Sequence, residues 1–158
     1  MNKFIVLAVV LALAPVAADA CGTRAPAVQA NIDAAELAAL EKLTVAAAHS
    51  ADAVFIGSVT QLARPAQGAG GQGSVSFAVE ASLKGQVPDA YTASWKEHFV
   101  YSCQPSAMFH NVGFRDGGTF IVYVRDGRVI RSAAADHLRS GLLTLEHERA
   151  IVVDAKGS

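Results

Sequence analysis

The chain has 158 residues, 52% of them hydrophobic, and a formal net charge of −1. That length supports a single domain with a real core, and the balance of charge gives no basic excess to hold nucleic acid and no lysine run to meet an acidic membrane surface. Two cysteines, Cys21 and Cys103, are its only thiols, and it has five histidines.

The N-terminus reads Met1-Asn2-Lys3, then an apolar run over residues 4–14 that Pro15 interrupts. Ala18-Asp19-Ala20 supplies the small-x-small pattern cut by signal peptidase. The run is shorter than the roughly 20 apolar residues a membrane-spanning helix needs. Residues 1–20 are therefore read as a signal peptide, and the mature chain is expected to begin at Cys21, secreted or periplasmic, with no transmembrane segment. A cysteine at the cut also admits a lipoprotein, although Ala18 stands where a lipobox would carry Leu. In an oxidising compartment an even pair of cysteines reads as one disulfide. It would close a loop of about 80 residues, for about 4 kcal/mol in the chain-entropy model. Two free thiols, or one lipidated and one free, are the alternatives.

Residues 21–52 form an N-terminal segment with a helix expected over 33–49. Asn31 or Asp33 can cap it, Glu36 completes a capping box, and Leu37, Leu40 and Leu43 or Thr44 recur at helical spacing. Residues 53–158 carry the strands and a C-terminal helix, so that 21–158 is one domain. Residues 53–62 are rich in β-branched and aromatic side chains and predict a strand. Residues 64–73 contain four glycines and predict a loop. Val75, Phe77, Val79, Ala81 and Leu83 alternate with Ser76, Ala78, Glu80 and Ser82, which predicts a half-buried strand. Lys84-Gly85 and Pro88-Asp89 turn the chain. Residues 91–95 predict a third strand that runs on past Phe99, and 103–118 read as irregular. Residues 119–124 are apolar on both faces and predict a central strand. Asp126-Gly127 predicts a two-residue hairpin, with 128–132 returning antiparallel. A short helix is expected over 136–150, packing Leu138, Leu142 and Leu145, with a frayed polar tail from Asp154. The sum is a mainly β fold with one or two helices, a small antiparallel barrel of about five or six strands. Pattern alone leaves an OB-like barrel and a sandwich both open.

Several chemistries fail on spacing. Glu146-His147-Glu148 has no second His at the zinc-protease interval, Gly57-Ser58 lacks the nucleophile elbow, and the glycines of 68–73 lack a phosphate-loop lysine. His98 and His110 flank Cys103 without a ligand spacing of known kind. Trp95, Phe99 and Tyr101 beside Cys103 are read as core aromatics, with an exposed ligand-contact patch on the barrel as the alternative. No nucleophile, base and orienting group stand at a recognisable spacing, so the chain is read as a non-enzyme with no cofactor.

The order of pieces is similar to a known family. An N-terminal cysteine after the signal peptide is followed by Ala51-Asp52-Ala53-Val54-Phe55-Ile56-Gly57, then Phe77-Ala78-Val79-Glu80 and Leu83-Lys84-Gly85. Cys103, Phe114, Gly117-Gly118, residues 120–124 and the Asp126-Gly127 hairpin follow. This resembles the netrin-like OB-fold module of tissue inhibitors of metalloproteinases and their bacterial relatives. The resemblance implies an OB-type barrel, a Cys21–Cys103 disulfide, and a protein partner, a zinc metalloprotease. It implies that the backbone amine and carbonyl of Cys21 chelate the partner's zinc while Gly22 and Thr23 contact the protease. A catalytic zinc keeps an open position, and an α-amine titrating near pH ~7.7 is partly neutral at physiological pH. The family's second cysteine is replaced by Thr23, Gly22 offers no side chain to a specificity pocket, and the cysteines beyond the last barrel strand are absent, with Ala133 to Ala135 in their place. The alternative from a different class is a non-inhibitory structural or interaction protein of the envelope, anchored as a lipoprotein at Cys21.

Overall fold

A computed structural model describes residues 26–64, 71–100, 109–135 and 143–156. Among the described residues nine elements follow in chain order: α1 (Pro26–Ser50), β1 (Ala53–Ala63), β2 (Gly73–Lys84), β3 (Ala90–Trp95), β4 (His98–Val100), β5 (Phe109–Val112), β6 (Thr119–Arg125), β7 (Arg128–Ala134) and α2 (Leu145–Lys156). Strands β1-β2-β3-β7-β6 close a barrel, and β4 pairs with β5 beside it. Every barrel pairing is antiparallel except the seam, where β3 meets β7 in parallel at Ser94 and Arg128. There the Ser94 amide donates to the Gly127 carbonyl at 3.0 Å. This is the expected OB-like barrel, and the parallel seam makes its sheet mixed.

Two apolar cores lie on opposite faces of the same strands. Inside the barrel, Phe55 and Val59 of β1, Val75 and Phe77 of β2, Ala93 and Trp95 of β3, and Phe120, Val122 and Val124 of β6 pack together. Outside it, Val54, Ile56, Ile121 and Tyr123 point away from the interior and pack against Leu40 and Ala48 of α1 and Ile151 and Val152 of α2. Side chains alternate across a strand, so a strand apolar at every position must be covered twice. That is why 119–124 read as central.

Strand β2 departs from its alternation. Val75, Phe77 and Val79 face the barrel interior, but Ala81 and Leu83 pack under the helices. The register explains the change of face: Gly57 pairs with Val79 and Ile56 with Ala81, leaving Glu80 as an extra residue. A β-bulge of this kind bends and twists the strand and reverses which face its side chains take. The long β2 thereby contributes to both cores.

The hairpin at Asp126-Gly127 forms as expected. Both residues have positive φ, 51° and 68°, the backbone a two-residue turn of this twist requires. The Asp52 carboxylate braces the turn by accepting the Asp126 amide at 2.8 Å.

The helices differ from expectation at their ends. α1 starts at Pro26, not near Asp33, so Asn31 and Asp33 lie within it and do not cap it. Proline at the first helical position loses no hydrogen bond, and the following alanines propagate the helix. Its buried row is Leu40, Thr44 and Ala48, while Leu37 and Leu43 are exposed. The Lys84 ammonium closes its last turn by donating to the Ala48 and His49 carbonyls at 2.8 and 3.2 Å.

The C-terminal helix runs over Leu145–Lys156, not 136–150, and holds order through Asp154 to Lys156. Thr144 sets its start, its hydroxyl accepting the His147 amide at 3.2 Å. Leu145 packs against the outer core, while Leu138 and Leu142 lie outside the described residues. The third strand ends at Trp95 instead of passing Phe99, and part of the segment expected to be irregular is the strand β5.

Candidate functional site

The residues singled out from sequence, Cys21, Gly22, Thr23 and Cys103, lie outside the described residues, as does the segment read as a signal peptide. What the structure describes is how the neighbourhood of Cys103 is mounted. Residue 103 falls in the connection between β4 and β5, which pair antiparallel with His98 opposite Val112 and Val100 opposite Phe109. This hairpin follows directly on the barrel strand β3.

Both stems of the hairpin are seated in the inner core. On one side Trp95 is fully buried, and its indole N–H donates to the Ala63 carbonyl at 3.2 Å. Trp95 thus packs as the core aromatic expected of it. On the other side Val112 and Phe114 enter the barrel. The Phe114 ring stands edge-on to Phe77, Trp95 and Phe120, with centroids 5.4, 5.4 and 5.1 Å away. Edge-to-face geometry sets the positive rim of one ring against the negative face of another.

Polar contacts complete the seat. Ser132 on β7 bonds Gly113 twice: its Oγ accepts the Gly113 amide at 3.0 Å and donates to the Gly113 carbonyl at 3.1 Å. Its neighbour Arg131 donates through Nη1 to Asn111 Oδ1 of β5 at 3.3 Å, and through Nη2 to Glu148 Oε1 of α2 at 2.5 Å. Glu148 also accepts the Tyr123 hydroxyl of β6 at 2.9 Å. The guanidinium carbon of Arg131 lies 5.8 Å from the centre of the Tyr123 ring, within cation–π range. Arg131 is 3% exposed and Glu148 2%, so this pair is buried in full. Its geometry is favourable, but the Arg131 Nε has no hydrogen-bond partner among the described residues.

The network joins β5, β6, β7 and α2. A charge taken out of water has to be paired and hydrogen-bonded, or burial costs several kcal/mol per ion. Arg131 meets that requirement by dividing its two Nη groups between α2 and the hairpin. Burial, reinforced by the nearby Glu148 charge and only partly offset by Arg131, drives the Tyr123 phenol far above its ordinary range. The hydroxyl therefore stays a donor to Glu148 across the biological pH range. These groups face one another under α2, so the arrangement holds elements in place.

None of the four members was expected from sequence. Three carried a signal that pattern reading passes over: Arg131 follows Ile130 within a strand, Tyr123 lies in a run apolar on both faces, and Glu148 precedes the buried Ile151 and Val152 by one helical turn; Asn111, in a segment read as irregular, carried none. Of the histidines, His147 is half-exposed and lies 3.6 Å from Glu41 of α1, and His49 is exposed. The side chains of His98, His110 and Phe99, and the whole of His137 and Tyr101, lie outside the described residues. Among the described residues no three His, Cys, Asp or Glu side chains gather as a metal set, and no described helix is long and apolar enough to cross a membrane. No protein-family model matches the chain, and no curated protein matches it.

Proposed function

We propose that this chain is an exported OB-barrel binding module, related to the netrin-like inhibitors, that meets a protein partner with Cys21, Gly22, Thr23 and the β4–β5 hairpin. The proposed partner class is a zinc metalloprotease, whose metal the Cys21 amine and carbonyl would chelate. The observation that carries the reading is the seating of the hairpin on a barrel of this strand order. Trp95, Phe114, Ser132 and Arg131 hold both of its stems. A disulfide from Cys103 would pass that rigidity to the N-terminal residue, and a pre-ordered tip loses less entropy on binding.

The test is direct. Natively exported protein, its Cys21 amine shown to be free, is added at micromolar concentration to a panel of zinc proteases cleaving a fluorogenic peptide. Inhibition of a panel member, abolished by one extra residue ahead of Cys21, is the expected result. Unchanged hydrolysis throughout the panel would overturn the inhibitor reading.

One observation favours a second reading, an envelope protein anchored through Cys21. The first buried side chain described along α1 is Leu40; Pro26, Ala34, Ala35, Leu37, Ala38 and Ala39 are exposed. A helix so placed suits a stalk between a lipid anchor and the barrel. Intact mass separates the two: a diacylglyceryl addition at Cys21 supports the anchor, and the loss of two hydrogens supports the disulfide.

A further inference from the structure

Arg131 joins two attachments. Through Nη2 it holds Glu148 and hence α2; through Nη1 it holds Asn111 and hence β5. Ser132, next along β7, grips Gly113 at the end of the same hairpin. The guanidinium thus bridges α2 and the hairpin directly. If α2 lifts, Arg131 is left as an uncompensated buried charge, with Nε already unpartnered. Such a charge draws in water or turns toward solvent, and either movement withdraws its bond from Asn111.

We infer that Arg131 is a positioning residue that couples the docking of the C-terminal helix to the seating of the Cys103 hairpin. Whatever engages or displaces α2 would then alter the presentation of the binding edge without touching it. The inference rests on the proposed use of that edge for its functional meaning, but the coupling itself is a property of Asn111, Arg131 and Glu148. Tyr123 supports the α2 side of the junction through its bond to Glu148. The approach of His147 Nε2 to Glu41 Oε1, at 3.6 Å between α2 and α1, lies outside the junction.

Site-resolved amide hydrogen exchange on the full mature chain tests this. Glu148→Gln removes the charge that Arg131 faces. Exchange at Val112 and Gly113 should accelerate at least tenfold together with that of α2, whereas Glu146→Gln, exposed on the same turn, should leave Gly113 unchanged. With Arg131→Met, an apolar replacement of similar length, adding Glu148→Gln should change Gly113 exchange by less than twofold. Asn111→Ala gives the reverse direction: the Ile151 and Val152 amides should exchange at least threefold faster, although Asn111 is on another element. Acceleration confined to α2 in the first variant and to β5 in the last would overturn the coupling. Protease rates read the other proposal separately. A wild-type protein that inhibits nothing yet shows the linked exchange loses the functional reading and keeps the coupling.

Discussion

Replacing Phe114 should expose how much of the barrel's stability depends on a residue that lies in no strand. Its ring touches Phe77, Trp95 and Phe120 edge-on at centroid distances of 5.1 to 5.4 Å. Phe114→Leu keeps most of the buried apolar area but loses three aromatic pairs, each worth roughly 0.5–1.5 kcal/mol beyond area. Partial repacking recovers some of that, so a loss of about 2 kcal/mol is expected. Phe114→Ala adds the cavity and should cost about 4 kcal/mol, within the ordinary range for a buried phenylalanine. For a chain of this size that lowers Tm by about 12 °C. Urea unfolding followed by tryptophan fluorescence is the assay, because Trp95 is the only tryptophan and lies against the substituted ring. The slope m should hold while the midpoint falls. Val153→Ala, at a 62% exposed site on α2, is the control and should stay within about 0.5 kcal/mol. If Phe114→Ala costs no more than this control, Phe114 does not plug the barrel and the described seat of the hairpin is wrong.

Two further outcomes follow from named contacts. The Tyr123 phenol has its pKa raised in the folded chain, so the native state holds that proton more tightly than the unfolded one. Its stabilisation is complete below the unfolded value near ~10 and is lost as pH rises beyond it. Wild-type stability should therefore fall above about pH 10 more steeply than that of Tyr123→Phe, and coincident alkaline profiles in denaturant titrations would contradict the burial described. Lys84→Met keeps the aliphatic stem but removes the ammonium that closes α1, and should cost about 0.5–1 kcal/mol. Faster amide exchange confined to the last turn of α1 is the accompanying sign; an unchanged last turn would show that Lys84 does not cap it.

Much of the fold was legible because its strands carry local patterns with local causes. The two-face apolarity of 119–124, the Asp126-Gly127 turn and the β-branched run of 53–62 each express a constraint met within a few residues. The glycine-rich stretch and the Lys84-Gly85 turn likewise marked where β2 begins and ends. Helix ends were less legible. Pro26 and Thr144 are start signals, but Asp33 and the leucines of 138–142 gave competing ones, and helix termini are set by small local terms that differ little between neighbouring candidates. The buried rows, Leu40, Thr44 and Ala48 of α1 and Ile151 and Val152 of α2, lie more than a turn past the helix starts and do not mark them.

The sequence by itself determined the class: a mainly β chain with an alanine-rich helix and short strands punctuated by turns, which a small barrel and a sandwich could share. Only the tertiary structure decided how that material is used. The bulge at Glu80 arises from pairing with β1, so the strand's own alternation could not reveal that Ala81 and Leu83 change sides. Arg131, Glu148, Tyr123 and Asn111 come from four separate elements, and a buried charge is tolerable only beside a partner that the fold delivers. Polar residues in a sequence read as surface by default; their meeting place exists only once α2, β5, β6 and β7 have packed.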